Sequence, residues 1–485
     1  MSRDSEGSKT LPPAPSGMQP PRGAGEARAT GDSFAAEVVG LDDEGAGLVD
    51  LADPDEDLRI HVAGALPGEH ISGRISYRSV HLRRPGEGKR GQREAWGSLV
   101  TVHRPSPDRV APICPAYGQC GGCSLAHLAY PAQQRWKRLR VRDQLGRQGE
   151  LAAVEVAACV ASPLILGYRN QAKYVYGCRE DGEPILGGYA AGSHRVVDLA
   201  GCRVVEPIID QARATVLQVL RARGVAPFCE TRRTGLCRYL ILRASGSGQL
   251  LATLVAVRDE GAGMDAVAVE LMARIPGLTG VVLNLNRAPG NVLFGQDERL
   301  LAGQGWIEDE IAAVRVRLAS RSFFQANRAA ASAVYRDLVA AVPSGLAAAV
   351  DAYSGAGGIA GSLLARVGEV TAIEQNPAAT QAASANRSDR LRIVTGDVAL
   401  GLAAVAAADV IVLNPPRKGC SPEVLGQVLR IRPVLVAYLS CHPQSLARDL
   451  VVLTRAGARV ESVVPYDMMP HTHHVETLAI LSWCR

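Results

Sequence analysis

The sequence predicts an α/β protein in which a parallel, doubly wound sheet forms the C-terminal third. A small N-terminal β-barrel and a mixed α+β region are expected to precede it. Two observations lead to this fold class. After Phe323, short apolar strands alternate with helical patterns, which is typical of βαβ units. Between Phe34 and residue 102, short strand-like stretches are separated by Gly, Pro and Asp turns, which favours a small antiparallel barrel.

Composition narrows the class of protein. The chain has 485 residues, of which 47% are hydrophobic and 21% are charged, as in globular proteins with several domains. No apolar run approaches the roughly 18 residues that span a bilayer. The N-terminal segment lacks the apolar stretch of a secretory signal. We therefore expect a cytoplasmic protein with no membrane association, in which the 11 cysteines are thiols, nucleophiles or metal ligands rather than a disulfide framework.

The sequence divides into four parts. Residues 1–30 are dominated by Pro, Gly, Ser and Ala without apolar periodicity, which predicts a disordered tail. Residues 31–102 form the predicted barrel, residues 103–325 the mixed central domain, and residues 326–485 the doubly wound domain.

The small overall charge hides a strong segregation. The net charge of the chain is +5, but Asp32 to Gly73 carries −10 and Arg74 to Arg147 carries +11. Part of the basic segment lies on a predicted helix, with Arg135, Lys137, Arg138 and Arg140. Such a cluster is suited to contact several phosphates of a nucleic acid, and the alternative interpretation is an ordinary solvated helix face.

The C-terminal domain begins with a cofactor-like loop. The strand Ala347 to Asp351 runs directly into a D-x-Y-S-G-x-G-G turn. The turn lacks the lysine of a P-loop and differs from the G-x-G-x-x-G fingerprint, which disfavours phosphate-rich ligands. Glu374 ends the next strand, placed for a ribose diol, and Asp397 follows the third, placed for an adenine amino group. Together these positions resemble the S-adenosylmethionine site of a class I methyltransferase.

Two further strand ends carry reactive groups. Asn414 opens an Asn-Pro-Pro turn, but the aromatic residue that follows such a turn in amino-methyltransferases is replaced by Arg417. Cys441 follows the next strand and suggests covalent catalysis. Carbon 5 of a pyrimidine is a poor nucleophile, so a thiolate must first add to carbon 6, and a base must later remove the C5 proton. Glu476, before the last strand, is a candidate for that base, and an ordinary surface carboxylate is the alternative.

A separate group of thiols lies near the start of the central domain. Cys114, Cys120 and Cys123 fall within ten residues, with two glycines that permit a tight turn. Clustered thiolates select zinc or an iron–sulfur cluster. The second C-x-x-C of a zinc ribbon is absent, and a catalytic C-x-x-C leaves Cys114 unused. Buried thiols without a metal remain the alternative.

Eight motifs point to one family: YRNQAKY, LGGYAAGSHRVVDLAGC, SFFQAN, DAYSGAGG, AIEQNP, NPPRKG, YLSCHPQSLARDL and HTHHVETLAIL. In these motifs the chain resembles the RNA uracil-5-methyltransferases, which make 5-methyluridine in 23S ribosomal RNA and tRNA. The resemblance extends from Phe34 to nearly the C-terminus. It implies a Rossmann-like class I methyltransferase domain and, at residues 31–102, an RNA-binding barrel of the TRAM type.

The resemblance also implies roles for individual residues. Cys441 falls on the nucleophile and Glu476 on the proton acceptor. Cofactor-binding positions fall on Gln325, Tyr353, Gly358, Glu374, Asp397 and Asn414. In the iron–sulfur subgroup of the family, a [4Fe-4S] cluster is held at the positions of Cys114, Cys120, Cys123 and Cys202. The chain departs from the family at two positions, where Asn414 replaces the usual Asp and His442 the usual Asn.

We therefore expect an RNA (uracil-5-)-methyltransferase (EC 2.1.1.-) that uses S-adenosylmethionine and acts on 23S ribosomal RNA. Three alternatives remain open at this point. In the first alternative, the RNA substrate is tRNA. In the second, the enzyme is an RNA cytosine-5-methyltransferase in which Cys420 takes part. In the third, the chain is a non-catalytic RNA-binding factor, which the loss of charge at Asn414 allows. No feature indicates an obligate protein partner.

Overall fold

The computed structural model describes residues 31–51, 57–82, 93–290, 292–383 and 388–483. The predicted tail at 1–30 and the basic residues between 83 and 92 lie outside the described residues. Within the described ranges, no helix combines the length and apolar character needed to cross a membrane. The chain forms two compact units. The first comprises the chain up to Ala129, Gly188–Leu199 and His471–His473, and the second comprises Tyr130–Gly187, Ala200–Pro470 and His474–Arg485.

Six strands form the sheet of the first unit. They are β1 (Ser33–Glu37), β2 (Gly40–Leu41), β3 (Gly47–Leu51), β4 (Leu58–Val62), β5 (His70–Leu82) and β6 (Arg93–Arg104), in the spatial order β1-β5-β6-β4-β3-β2. Phe34, Val49, Ile60 and Ile71 pack in its core. The Phe34 ring needs a gap in the neighbouring strand, because a Cβ atom at Gly73 would lie 2.5 Å from the ring. The alternation of apolar and polar residues in these strands thus builds a small β domain with one buried face.

The central part of the chain is α+β. Its elements are α1 (Tyr130–Gly146), a 3-10 turn (Gly149–Leu151), β7 (Gln171–Cys178), β8 (Pro184–Tyr189), β9 (Val196–Asp198), α2 (Pro207–Ala222), β10 (Cys237–Ala244), β11 (Leu250–Ala256), α3 (Ala262–Arg274), β12 (Leu278–Leu285), β13 (Asp297–Gly303), β14 (Trp306–Ile311) and β15 (Val314–Ala319). In the second unit the sheet runs β13-β12-β11-β10-β7-β8, and β14 pairs with β15. All residues of β10 and β11 are buried, including Arg243 of β10, so both faces of these strands lie inside the protein.

The C-terminal part contains the doubly wound sheet. Its elements are α4 (Arg328–Ala341), β16 (Leu346–Ala352), α5 (Gly358–Leu363), β17 (Val367–Glu374), α6 (Pro377–Ala383), β18 (Leu391–Thr395), α7 (Val398–Ala403), β19 (Val410–Leu413), α8 (Pro422–Ile431), β20 (Leu435–Ser440), α9 (Pro443–Arg455), β21 (Ala458–Tyr466) and β22 (Glu476–Trp483). The strand order is β18-β17-β16-β19-β20-β22-β21, with β22 antiparallel to both neighbours and the other strand pairs parallel. The predicted α/β class is confirmed, and the strand order reverses at β16.

Helix α1 corrects one expectation. Lys137 was predicted among the phosphate-contacting residues, but it is completely buried, and its Nζ donates to Asp467 Oδ1 at 2.6 Å and to the Met469 carbonyl at 3.1 Å. The Arg138 Nε donates to the Val156 carbonyl at 2.9 Å. These two side chains hold α1 in the second unit. Lys137 is not available to a nucleic acid, because leaving Asp467 without it would bury an unpaired charge.

Candidate active site

Five predicted site residues lie at one edge of the parallel sheet. Ala352, at the end of β16, pairs with Ile373 of β17 on one side and with Leu413 of β19 on the other. The carboxyl ends of the parallel strands therefore meet at the reversal point, where doubly wound sheets bind their ligands. The residues that end or follow these strands are Tyr353, Glu374, Asp397, Asn414 and Cys441.

The loop after β16 has an unusual backbone. Tyr353 has a φ of +66°, in the left-handed region that residues with a side chain seldom adopt, and Gly355 and Gly357 have φ values of +54° and +80°. Gly358 begins α5, where a Cβ atom would lie 3.0 Å from Ile311 Cγ2. The glycines thus allow a tight turn in which the backbone approaches a ligand closely, and the strained Tyr353 is the kind of outlier found at functional sites.

The two predicted acidic contacts are fixed by backbone groups. Glu374 accepts from the Gly355 N–H at 2.9 Å through Oε2 and from the Asn376 N–H at 2.7 Å through Oε1. Asp397 caps α7, where its Oδ1 accepts from the Leu400 N–H at 3.1 Å. A carboxylate oxygen can accept two hydrogen bonds, so both groups are oriented and still able to accept from a bound ligand.

The sequence reasoning missed Asp351 as a site residue. Its carboxylate is fully buried near the end of β16, and among the described residues the Ala360 N–H is the backbone donor that acts on it. Burial, with the added charge of Glu374, raises the pKa of Asp351 to about 7. A single backbone donor leaves most of the acceptor capacity of this buried carboxylate unused, which is costly and favours a ligand that supplies further donors. Asp351 is the first residue of the D-x-Y-S-G-x-G-G turn, and this position could have identified it as a site residue from the sequence.

Cys441 and Glu476 face each other across two strands. The antiparallel register of β20 and β22 pairs Ser440 with Thr477, and one step further brings Cys441 opposite Glu476. Burial raises the pKa of Glu476 to about 8. Burial and the charge of Glu476 raise the pKa of Cys441 to about 11, and the nearby Arg417 guanidinium opposes this rise. The pair therefore joins a nucleophile and a strong carboxylate base in one place.

The surroundings of Cys441 are ordered by its neighbours in the chain. The Arg417 Nη2 lies 3.3 Å from Nδ1 of His474, so the cation is held beside the segment that carries Glu476. His442 caps α9, where its Nδ1 accepts from the Ser445 N–H at 3.3 Å. The His442 departure thus provides an N-cap acceptor, a role that Asn also performs.

Gln325 is connected to the site through a buried tyrosine. The Gln325 side chain lies within hydrogen-bond reach of the Tyr335 hydroxyl on α4. Burial and the charges of Asp351 and Glu476 raise the pKa of Tyr335 above its usual range. The charges of both carboxylates therefore act on the Tyr335 hydroxyl. It was missed because it occupies an apolar position of the helix pattern, and only its hydroxyl distinguishes it from a core residue.

Cys420 is not part of the reactive surface. The side chain is buried, and its backbone N–H donates to Asp449 Oδ2 at 2.8 Å. The same oxygen accepts from the Tyr438 hydroxyl at 2.6 Å. Burial raises the pKa of Cys420 to about 12, so its thiol stays protonated at neutral pH. The position of Cys420 thus counts against a second catalytic cysteine.

The structure places three of the predicted cluster cysteines on one loop of the first unit. Cys114, Cys120 and Cys123 are partly buried, and the Gly122 N–H donates to the Cys120 sulfur at 3.4 Å. Cys202, also partly buried, belongs to the second unit. Among the described residues, no three Cys, His, Asp or Glu side chains are arranged to hold a metal ion. The donor chemistry of these side chains suits a soft metal.

Several known proteins are similar to this chain. Residues 378–483 match a family model described as tRNA (uracil-5-)-methyltransferase. The chain is 34% identical to an uncharacterised RNA methyltransferase of Gloeobacter violaceus, over 93% of this chain and 96% of that protein. It is also 34% identical to one of Geobacter sulfurreducens, over 94% and 91%. Among solved structures, it resembles the Pyrococcus abyssi tRNA (uracil-54, C5)-methyltransferase in complex with S-adenosyl-L-homocysteine, with a TM-score of 0.70 and 24% identity over 92% of this chain and 100% of that chain.

Proposed function

The chain belongs to the RNA uracil-5-methyltransferase family, and we propose that it transfers the methyl group of S-adenosylmethionine to carbon 5 of a uridine in 23S ribosomal RNA. The observation that carries the proposal is the register of β20 and β22, which sets Cys441 opposite Glu476. A nucleophile and a proton acceptor in one pocket are the two groups that this reaction requires. Such a reaction on RNA belongs in the cytoplasm.

The residues at the reversal point fit the proposed cofactor. Bound S-adenosylmethionine supplies an electrophilic methyl group on a sulfonium. Asp351 offers a buried carboxylate with acceptor capacity that an ammonium group would satisfy. Glu374 is oriented to accept from a ribose diol and Asp397 from an adenine amino group. Further contacts are assigned to Gln325, Tyr353, Gly358 and Asn414. Asn414 keeps an acceptor oxygen without the charge of an aspartate, which weakens binding without abolishing it.

The proposed reaction begins at Cys441. Its thiolate forms a bond to carbon 6 of the uracil, and the C5–C6 double-bond electrons move to give an enolate. Carbon 5 then forms a bond to the methyl group, whose bond to the sulfonium sulfur breaks to leave a neutral thioether. The Glu476 carboxylate removes the remaining C5 proton, the electron pair restores the C5–C6 double bond, and the C6–sulfur bond breaks to return the thiolate. Because its pKa is raised, ionised Glu476 is a stronger base than an ordinary carboxylate. The Arg417 charge favours formation of the thiolate.

A second candidate function differs only in the RNA. The matching family model and the Pyrococcus abyssi structure are both described as tRNA enzymes, which favours tRNA as the alternative substrate. Methylation of cytosine is disfavoured because Cys420 is buried in contact with Asp449 and is not exposed beside Cys441.

The first test compares the two RNA classes directly. Unmodified 23S ribosomal RNA and unmodified tRNA are incubated separately with methyl-labelled S-adenosylmethionine, and nucleosides are analysed for 5-methyluridine. We expect product in 23S RNA with the native protein, none with Cys441→Ala, and retained product with the control Cys420→Ala. Product in tRNA alone would establish the second candidate. Absence of 5-methyluridine in both RNAs, or full activity of Cys441→Ala, contradicts the proposed reaction.

We further propose that Cys114, Cys120, Cys123 and Cys202 bind a [4Fe-4S] cluster and that residues 31–102 are an RNA-binding domain of the TRAM type. Four thiols match the ligand number of such a cluster, and N–H donation to a ligand sulfur, as from Gly122, stabilises thiolates. Methyl transfer from a sulfonium needs no electrons, so the role is structural. Brown protein that contains iron, purified without oxygen, is the expected result. Stoichiometric zinc without iron contradicts it.

A further inference from the structure

Three basic side chains gather on one face of the central sheet of the second unit. In the register of β7 and β10, Gln171 pairs with Arg243 and Lys173 with Ile241, so Lys173 and Arg243 project from the same face. Arg169 precedes β7 by two residues. Burial and the charges of Arg169 and Arg243 lower the pKa of Lys173, as expected when three cations lie close together.

Arg243 is the most unusual member of this cluster. Only 2% of its surface is exposed, and its Nη2 donates to the Ser322 carbonyl at 2.5 Å. Its Nη1 has no hydrogen-bond partner among the described residues, and the same is true of Nε of Arg169. Burial lowers the pKa of Arg243 to about 10. A guanidinium is rarely buried without an anion, because its donors must be satisfied.

The described part of the chain does not supply that anion. Asp309 is the acidic group whose charge acts on Arg243. Both oxygens of Asp309 are already engaged by Arg328 Nε, at 2.8 and 2.9 Å. No ion pair of Arg169, Lys173 or Arg243 occurs within the described residues. The cluster thus carries positive charge in excess, and two of its guanidinium donors have no hydrogen-bond partner among the described residues.

The cluster borders the loop that presents Gln325. The Asn170 side chain donates to the Gln325 carbonyl at 2.9 Å, and the Asn170 N–H donates to the Ala326 carbonyl at 2.9 Å. Arg243 holds the same loop through Ser322. An anion bound at the cluster is therefore a neighbour of the candidate active site. Lys173 reaches solvent, so it is the member of the cluster that a ligand meets first, whereas Arg243 lies behind it in the protein.

We propose that Arg169, Lys173 and Arg243 bind one backbone phosphate of the RNA, adjacent to the nucleotide that enters the Cys441 pocket. The inference rests on the proposed function, because it specifies a contact of the same substrate. A phosphodiester is opposite in charge to the cluster, and its oxygens can accept hydrogen bonds from ammonium and guanidinium groups. Contacts of this kind fix the position of a nucleic acid without reading its sequence.

The test measures RNA affinity as a function of salt with a fluorescein-labelled oligouridylate. The variants are Lys173→Gln, at an exposed position, and Arg243→Met, which removes the buried charge. The control is Arg459→Gln, whose side chain is 72% exposed and pairs with Glu461 on β21. Each cluster variant should weaken binding at low salt and reduce the slope of log Kd against log salt by about 0.7 to 1. The control removes the same charge and should leave the slope unchanged.

Binding of S-adenosylmethionine to the same variants, measured by calorimetry, separates this site from the cofactor site. Its affinity should be unchanged in Lys173→Gln. The phosphate site is overturned if Lys173→Gln has the same slope of log Kd against log salt as the native protein. It is also overturned if this variant loses affinity for S-adenosylmethionine and keeps its affinity for RNA. Both outcomes are measured on Lys173→Gln, so they do not depend on whether Arg243→Met folds. The oligonucleotide measurement requires no methyl transfer, so failure of the proposed methylation would appear separately, as absence of 5-methyluridine from the native protein.

Discussion

Replacement of Asp351 by Asn tests the cost of the buried carboxylate at the end of β16. The pKa of Asp351 is about 7 in the folded protein against an ordinary value of 3.8. Because the folded-state pKa is the higher one, the associated stability is fully present at low pH and is lost as pH rises towards 7. At 1.36 kcal/mol per pKa unit, the full loss is about 4 kcal/mol, of which about 2.5 kcal/mol falls between pH 5 and pH 8.

The assay is urea unfolding, followed by circular dichroism, at pH 5 and pH 8 without cofactor. Asn cannot ionise, so Asp351→Asn should gain about 2.5 kcal/mol relative to the native protein between these two pH values. Asp389→Asn, which alters an exposed carboxylate outside the site, serves as the control and should show no such gain. The comparison between two pH values removes any constant effect of the substitution itself.

The same variant tests the assignment of the carboxylate to the cofactor. A hydrogen bond to a charged group contributes about 1.5 to 3 kcal/mol, so the affinity for S-adenosylmethionine, measured by calorimetry, should fall by about 10-fold to 100-fold. A protein that becomes more stable at high pH while it loses its ligand would identify Asp351 as a group kept for binding. A stability difference that does not vary with pH, or an unchanged affinity, refutes the reasoning.

Three further outcomes follow from the geometry. Cys420→Ala should lower the unfolding free energy by about 1 kcal/mol in urea and leave 5-methyluridine formation intact. Loss of activity in a folded Cys420→Ala variant would instead indicate a catalytic role for Cys420. Lys137→Met should lower the unfolding free energy by about 3 to 5 kcal/mol, because it leaves the Asp467 charge buried without a partner. The double variant with Asp467→Leu should recover most of this lost stability. Losses that simply add in the double variant would contradict a buried ion pair. Because Glu476 acts in its ionised form with a pKa of about 8, the rate of tritium release from C5-labelled uridine RNA should rise between pH 7 and pH 9, and a flat profile would count against its role.

The fold was predictable because the central parallel strands, β19 and β20, are buried on both faces. Every residue of β19 and β20 is buried, so the sequence shows uninterrupted apolar runs, and turns or helices separate them at regular intervals. The ends of such strands are equally visible, which is why Glu374 and Cys441 could be selected from the sequence alone. The carboxyl ends of the parallel strands lie along one edge of a doubly wound sheet, so residues at these ends come together whatever the length of chain between the strands.

Long-range partners were not predictable. Lys137 looked like part of a basic helix face because its partner Asp467 lies 330 residues further along the chain. The opposition of Cys441 and Glu476 depends on the register of β22, an antiparallel strand that enters the sheet out of sequence order. Asp351 and Tyr335 looked like ordinary residues of a strand and a helix. Their importance lies in burial and in the charged groups that act on them, which only the folded chain shows.

The central claim is that Cys441 forms a covalent bond to the uracil and that Glu476 is needed to release it. The most direct measurement is mass spectrometry of the Glu476→Gln variant after incubation with substrate RNA and S-adenosylmethionine, followed by digestion. Since C5 proton removal is blocked, the account predicts a peptide containing Cys441 that carries a methylated uridine nucleotide. An unmodified Cys441 peptide together with a nucleotide attached to another cysteine, or turnover by Glu476→Gln at the native rate, would contradict it.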